Sequence, residues 1–328
     1  MSASMNGCGY GLDDLAKAEL ALFKTDYSIA EEFLHKALNK SREKGQIIIE
    51  SIALIFLLRV YLCRGNTAAV RVILKQIDKL QEHPGYMTRS LFHDFAYGLF
   101  YLQINRPDRI SAWLKNSFGK NDLVAMIHGI ELIIRVKYLI AVKHYQFALT
   151  ELENRRRTSC TLHLIIGRLE AKVLEAVCRY RCGDTDGAFR DLETAWDLAK
   201  LNGFYLPFIE TGKDMRALAN AAIRASLSGI PSDELEKIHR GSALYARNVY
   251  SINKKFEITR NQENATLLSK RQYDILLCLA QGLTREEIAR VYSISVNTVK
   301  SVSKNVYDKL GAVNRADAVR ISKEMGIL

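Results

Sequence analysis

Apolar residues return every three or four positions from residue 10 to residue 226, and short Gly, Asp or Asn breaks separate one run from the next. That spacing places each run's apolar side chains along one stripe of an α-helix. It does not fit strands, whose faces alternate with a period of two. Only four prolines occur in 328 residues, so little in the chain interrupts a helix. The breaks also repeat one pattern. KTDYSIAEEFLHKAL at 24–38, RGNTAAVRVILKQI at 64–77, VKHYQFALTELEN at 142–154 and CGDTDGAFRDLETAW at 182–196 align on Asp26, Asn66, His144 and Asp184. Four residues later stand Ala30, Val70, Ala148 and Ala188, and eight residues later Leu34, Leu74, Leu152 and Leu192. A weaker copy, RPDRISAWLKN at 106–116, aligns at Pro107, which sets the anchors 40, 41, 37 and 40 residues apart.

A period near forty residues with two helices per unit signals a helical solenoid of the tetratricopeptide sort. The small residue after each turn lets the second helix approach the first, and the leucine one turn on fills the seam. The alternative is an irregular helical bundle. The fold class expected is all-α: a TPR-like helical superhelix followed by a four-helix C-terminal domain. Pro231 opens a last long helix, from Ser232 to about Phe256, because a proline near the first turn removes an N–H that has no helical partner anyway. The polar stretch Thr259-Arg-Asn-Gln-Glu-Asn264 reads as a linker. The expected organisation is a TPR-like sensor or scaffold over 8–256, a linker over 257–264 and the C-terminal domain over 265–328.

Charge and cysteine usage bound the partners. The net charge of +11 favours an anionic partner, nucleic acid or a membrane surface. The excess is spread out: residues 261–328 carry ten Lys/Arg and seven Asp/Glu. The most apolar stretch, Ile47 to Cys63, is broken by Glu50 and Arg59 and falls short of the ~18 apolar residues a membrane span needs. No apolar signal segment opens the chain, and the six cysteines form no secreted framework. A reduced, cytoplasmic protein without membrane contact is expected.

Residues 267–328 carry the functional signal. Ser269-x-x-Gln272 and Thr284-x-x-Glu287 are capping boxes that open two helices. Ser295 sits where a third helix needs its N-cap, Gly311 ends that helix, and Asn314-x-x-Asp317 opens a fourth. The second and third helices are separated only by Tyr292-Ser-Ile-Ser295. So short a turn makes a helix-turn-helix, which presents its second member to the DNA major groove. On that member Val299, Val306 and Leu310 fall to one side, facing Ile275, Leu276, Leu279, Ile288 and Ala289. Lys300 and Lys304 share another side with Ser301 and Asn297. Two lysines among small polar residues can reach guanine acceptors or phosphates without steric block, although taken alone they describe an ordinary solvated face.

These residues resemble the LuxR-type helix-turn-helix of bacterial transcription regulators. The likeness is carried by Leu268-Ser-Lys-Arg-Gln-Tyr-Asp-Ile-Leu276, Ala280-Gln-Gly-Leu-Thr284, Glu287-Ile-Ala289, Ile294-Ser-Val-Asn-Thr-Val-Lys300, Tyr307-Asp-Lys-Leu-Gly311 and Asn314-Arg-Ala-Asp-Ala318. The resemblance implies a module that binds double-stranded DNA, as a homodimer joined through its fourth helix. It implies base reading at the positions of Lys300, Ser301 and Lys304, with backbone contacts near Thr298 and Lys309. Three positions depart from the pattern. Gln272 stands where glutamate is usual, Val302 where histidine is common, and Ser303 where an apolar residue is common. The last two leave the rotation of the third helix, and so the base-reading set, open. Upstream, Tyr205-Leu-Pro-Phe-Ile-Glu-Thr-Gly212 resembles a stretch of the large MalT-like regulators, in which a TPR-like superhelix precedes a LuxR-type module. Their ATPase has no counterpart here: no G-x-x-x-x-G-K-[ST] occurs, and Gly7-Cys-Gly-Tyr-Gly11 lacks the lysine and hydroxyl.

Other candidates carry less. Cys178-Arg-Tyr-Arg-Cys182 puts two thiols on one helix face, half of a metal site, but only His163 is near enough to join them, so both read as packing. Cys278 reads the same way. Arg155-Arg-Arg157 reads as a solvated helix end, and Phe92, Phe95, Tyr97, Phe100 and Tyr101 as core rather than a ligand groove. No G-x-S-x-G elbow or H-x-x-x-H pair is present. The expectation is a DNA-binding regulator with no catalytic residue, metal or cofactor, controlled by a small molecule or protein bound to the TPR-like domain. The rival is an interaction scaffold whose helix-turn-helix is degenerate.

Overall fold

The computed structural model describes residues 9–82, 89–116, 128–155, 165–325 and 327–328. Among them are seventeen α-helices and no strand. They are α1 (Leu12–Phe23), α2 (Tyr27–Glu43), α3 (Ile47–Arg64), α4 (Thr67–Gln81), α5 (Arg89–Gln103), α6 (Ala112–Lys115), α7 (His128–Ala141), α8 (Tyr145–Arg155), α9 (Ile165–Arg181), α10 (Thr185–Lys200), α11 (Leu206–Glu210), α12 (Lys213–Arg224), α13 (Ser232–Leu267), α14 (Lys270–Ala280), α15 (Arg285–Val291), α16 (Val296–Leu310) and α17 (Arg315–Met325). The chain divides into two units between Asn253 and Lys254. No helix among the described residues is long and apolar enough to cross a membrane.

One turn geometry recurs through the first unit. Thr25, Gly65, Asn105, Lys143 and Gly183 adopt left-handed φ values of 66°, 69°, 59°, 65° and 88°. The residue after each donates its N–H back five positions: Asp26 to Ala21, Asn66 to Tyr61, Arg106 to Tyr101, His144 to Leu139 and Asp184 to Arg179, at 2.7–3.0 Å. This Schellman closure satisfies the orphan carbonyls of one helix while the chain turns into the next. The anchor expected at Pro107 therefore falls on Arg106. Proline has no N–H for the long closing bond, so the preceding residue supplies it, and Pro107 drops into a first turn that needs no donor. Four and eight positions beyond the turns, Ala30, Val70, Ile110, Ala148 and Ala188, then Leu34, Leu74, Leu114, Leu152 and Leu192, are all buried. The middle copy departs from a regular helix pair. A 3-10 turn at Pro107–Arg109 precedes the single-turn α6.

Within α1 to α5 and within α6 to α10 each helix packs on the next, and α1, α3, α5, α7 and α9 each also touch the next odd-numbered helix, which gives a two-row stack. The row returns on itself. Tyr205, preceding α11, donates its N–H to Phe23 O at 2.8 Å, and α11 touches both α9 and α1. An ion pair crosses the middle. Arg59 of α3 donates to both carboxylate oxygens of Glu210 of α11, at 3.0 and 2.8 Å, and Glu170 of α9 stands 3.5 Å away. Their side chains are only 12% and 3% exposed for Arg59 and Glu210. Burial alone would raise the Glu210 carboxyl pKa; the Arg59 charge and hydrogen bonds, with Lys137 behind them, outweigh it and hold the group below its ordinary value. The guanidinium also lies 5.3 Å from the Phe23 ring centre.

Of the aromatic run of α5, Phe95 and Phe100 are buried, while Phe92, Tyr97 and Tyr101 are half-buried. Cys178 is buried, as expected, but Cys182 is exposed. It stands one residue past the end of α9, where the turn leads the chain away from the packed face. Among the described residues no group of His, Cys, Asp and Glu could hold a metal ion; His163, Arg156 and Arg157 lie outside them. The helix expected to stop near Phe256 continues to Leu267 as α13. The stretch 257–264 is polar but contains neither glycine nor proline, so nothing local breaks the backbone hydrogen bonding.

Candidate nucleic-acid interface

The second unit is built from side-chain caps. Ser269 Oγ accepts the Gln272 N–H at 3.3 Å while Gln272 Oε1 accepts the Ser269 N–H at 2.9 Å. Thr284 and Glu287 repeat the arrangement at 3.2 and 2.7 Å. Hydrogen bonds from Thr284 hold the Glu287 carboxyl below its ordinary pKa. Ser295 Oγ accepts the Thr298 N–H at 3.0 Å, and Asn314 Oδ1 accepts the Asp317 N–H at 2.9 Å. Each cap supplies a partner for a helix-start amide that would otherwise have none. Between α15 and α16 the chain has only Tyr292 to Ser295, with Ser293 at φ 51°.

These helices bury two apolar clusters. One joins Leu268, Leu276, Val306, Leu310, Ala318 and Ile327. The other joins Ile275, Cys278, Leu279, Ile288, Ala289 and Val299. Val302 and Tyr307, half-buried, pack against both. The face assigned inward from the sequence is therefore the face that is buried. Ser303 sits in it too, 1% exposed, with its hydroxyl donating to Val299 O one turn back at 2.7 Å. The polar replacement is accommodated because the helix's own carbonyl satisfies it. A half-buried arginine adds a tie: Arg315 of α17 donates from Nε to Leu279 O, in the last turn of α14, at 3.0 Å.

The other face of α16 carries the expected site residues. Asn297, Lys300, Ser301 and Lys304 are exposed and recur at three- and four-residue steps, so they form one stripe. Lys300, Ser301 and Lys304 make no hydrogen bond or ion pair among the described residues. Thr298 is half-buried at the edge of the stripe, its hydroxyl 2.8 Å from Ser295 Oγ. Lys309 stands apart. Nine residues beyond Lys300, it projects about 180° away around the helix, and its ammonium donates to Gln272 Oε1 at 2.9 Å. Gln272 thus does two things, capping α14 and tethering the end of α16. The sequence disclosed only the first, because the partner is 37 residues away.

The signature of the bacterial regulatory proteins of the luxR family matches residues 266–322. This segment is a LuxR-type helix-turn-helix module. Over 73 residues the chain is 40% identical to the transcriptional regulatory protein YdfI of Bacillus subtilis, covering 22% of this chain and 34% of that protein. It is 30% identical over 125 residues to the transcriptional activator protein EsaR of Pantoea stewartii subsp. stewartii, covering 38% and 47%. It is 27% identical over 141 residues to the response regulator protein VraR of Staphylococcus epidermidis, covering 42% and 67%. The chain spans about a third of YdfI and about half of EsaR. The matched segment covers α14, α15, α16 with its whole polar stripe, and α17 as far as Ser322.

Proposed function

We propose that this chain is a cytoplasmic transcription regulator that binds double-stranded DNA by inserting α16 into the major groove. The observation that carries this reading is the free polar stripe of α16, set on a helix whose opposite face is fully packed. Lys300, Ser301 and Lys304 read base edges, while Asn297, Thr298 and Lys309 lie close to phosphates. The lysines supply affinity that weakens with salt, and the base contacts supply sequence choice. Lys309, held by Gln272, offers a fixed rather than a searching charge. The likeness to proteins named as transcriptional activators and regulators supports the same reading. The rival, a degenerate module serving only protein contacts, gains nothing from Ser303, whose hydroxyl is satisfied inside its own helix.

The finer reading is that the chain works as a homodimer on DNA, without an enzymatic step of its own, and that its first unit is a TPR-like domain whose bound signal alters dimerisation or access to α16. Selection of bound sequences from random duplex DNA by the full chain tests the core of this. A recovered motif with two half-sites about one helical turn apart is expected. Recovery of no motif at low salt would overturn it.

A further inference from the structure

The first unit contains a cavity of about 710 Å³, lined from α5, α7, α8, α9, α11, α12 and α13 and the turns beside them. Its size is that of small-molecule sites, about 300–1,000 Å³, and all of its lining residues belong to the first unit. Two features make it more than a gap between helices. Its charge is one-sided. The two carboxylates in the lining are already engaged: Glu210 with Arg59 at 2.8 Å, and Asp214 with Arg181 Nε at 2.9 Å. By contrast Lys137, Lys213, Arg216 and Arg247, all in the lining, make no side-chain hydrogen bond or ion pair among the described residues. The cavity also holds unsatisfied polar atoms. Tyr245 is 2% exposed, and its hydroxyl has no hydrogen-bond partner; neither has the buried Oδ1 of Asn253. Leaving such groups unmade costs stability. Beside them α12 begins at Gly212, which has φ 60° and no side chain to cap the helix, so its first amides favour negative charge as well.

We infer that this cavity binds a small organic anion, a phosphorylated or carboxylated metabolite. The unpaired cations and the first amides of α12 hold the anionic end. The assignment gives a chemical class to the signal proposed above, and rests on that reading only for its effect on DNA.

Calorimetric titration of the full chain tests it, with glucose 6-phosphate, AMP, citrate and inorganic phosphate as probes and glucose and adenosine as uncharged controls. At least one organic anion is expected to bind with a Kd below about 100 µM, with no binding of the uncharged controls. The variant K137Q/R247Q should weaken that anion at least ~10-fold. This variant also separates the cavity from any anion held by the lysines of α16, which it does not touch. Failure of all four anions to bind, or equal affinity in wild type and variant, would overturn the inference. DNA affinity with and without the bound anion is read separately. An anion that binds but leaves DNA affinity unchanged supports the cavity assignment and refutes its regulatory use. DNA binding that persists with no anion bound at all leaves the LuxR-type reading standing and removes the cavity assignment alone.

Discussion

The two units close their helices in the same way but start them differently. In both, a left-handed residue and a long backbone hydrogen bond end one helix and aim the next. Gly65 and Gly183 do this in the first unit, Gly282 and Gly311 in the second. At helix starts they diverge. In the LuxR-type module, α14 through α17 each open on a side-chain cap. In the first unit only Asn66 and Asp184 cap with their side chains among the described repeat turns. Burial of the small residue and leucine that follow fixes the other starts. A domain of four short helices has little buried surface with which to set their ends, so it specifies them locally. A long stack specifies them by repetition. Charge follows the same division: Arg59 is buried against Glu210, while Lys300 and Lys304 are left outward and unpaired.

The comparison breaks first, if it breaks, at the buried pair. E210L leaves the buried Arg59 with the 3.5 Å contact to Glu170 in place of its main partner, and should cost the first unit about 3–5 kcal/mol while leaving hydrogen exchange in the LuxR-type module unchanged. R59M/E210L should recover most of the loss, as replacement of a whole buried pair by apolar residues does. Protection falling equally in both units would show that the division is false. The pair also sets an acid limit. The Glu210 carboxyl pKa is below its ordinary 4.5 when folded. Its contribution is therefore complete above that value and is lost as pH falls through the folded one; in R59M, where burial acts on the carboxyl without the Arg59 charge, that acid loss should disappear. A urea titration series across that range reads it directly.

A smaller effect separates the module. S295A removes the cap of α16 and should cost about 1 kcal/mol, read as faster exchange in the first turn of α16, with no change in the first unit. Smallest of all is S303A, which deletes a buried hydroxyl satisfied only by its own helix. It should shift stability by less than about 0.5 kcal/mol and leave DNA affinity as it was. A large drop would mean that Ser303 does more than occupy a core position.

What could be read in the sequence follows the same line. The module is legible almost to the residue, because Ser269, Thr284, Ser295 and Asn314 announce their helices within three positions. Asn297, Lys300, Ser301 and Lys304 can be grouped because helical periodicity alone puts them on one stripe. The same spacing sets Lys309 on the opposite side of the helix, but its tether to Gln272 is not legible, since it depends on how α14 and α16 meet. The repeat turns are legible too, displaced by one residue where Pro107 cannot donate. The end of α13 is not, because a polar stretch looks like a break even where no residue breaks a helix. The Arg59–Glu210 pair and the cavity have no local signal. Their residues lie up to 151 positions apart, and the only hint is one arginine interrupting the apolar run of α3.

The central claim is that the outward stripe of α16 holds DNA, and the salt dependence of K300A/K304A tests it most directly. With the full chain and its selected site, fluorescence anisotropy should show binding weakened by at least about 1–3 kcal/mol for each lysine that no longer reaches a base. The slope of log K against log salt should become shallower by about two phosphate equivalents if both lysines act on the backbone. Affinity and slope equal to wild type, in a variant whose helical content is intact, would contradict the account.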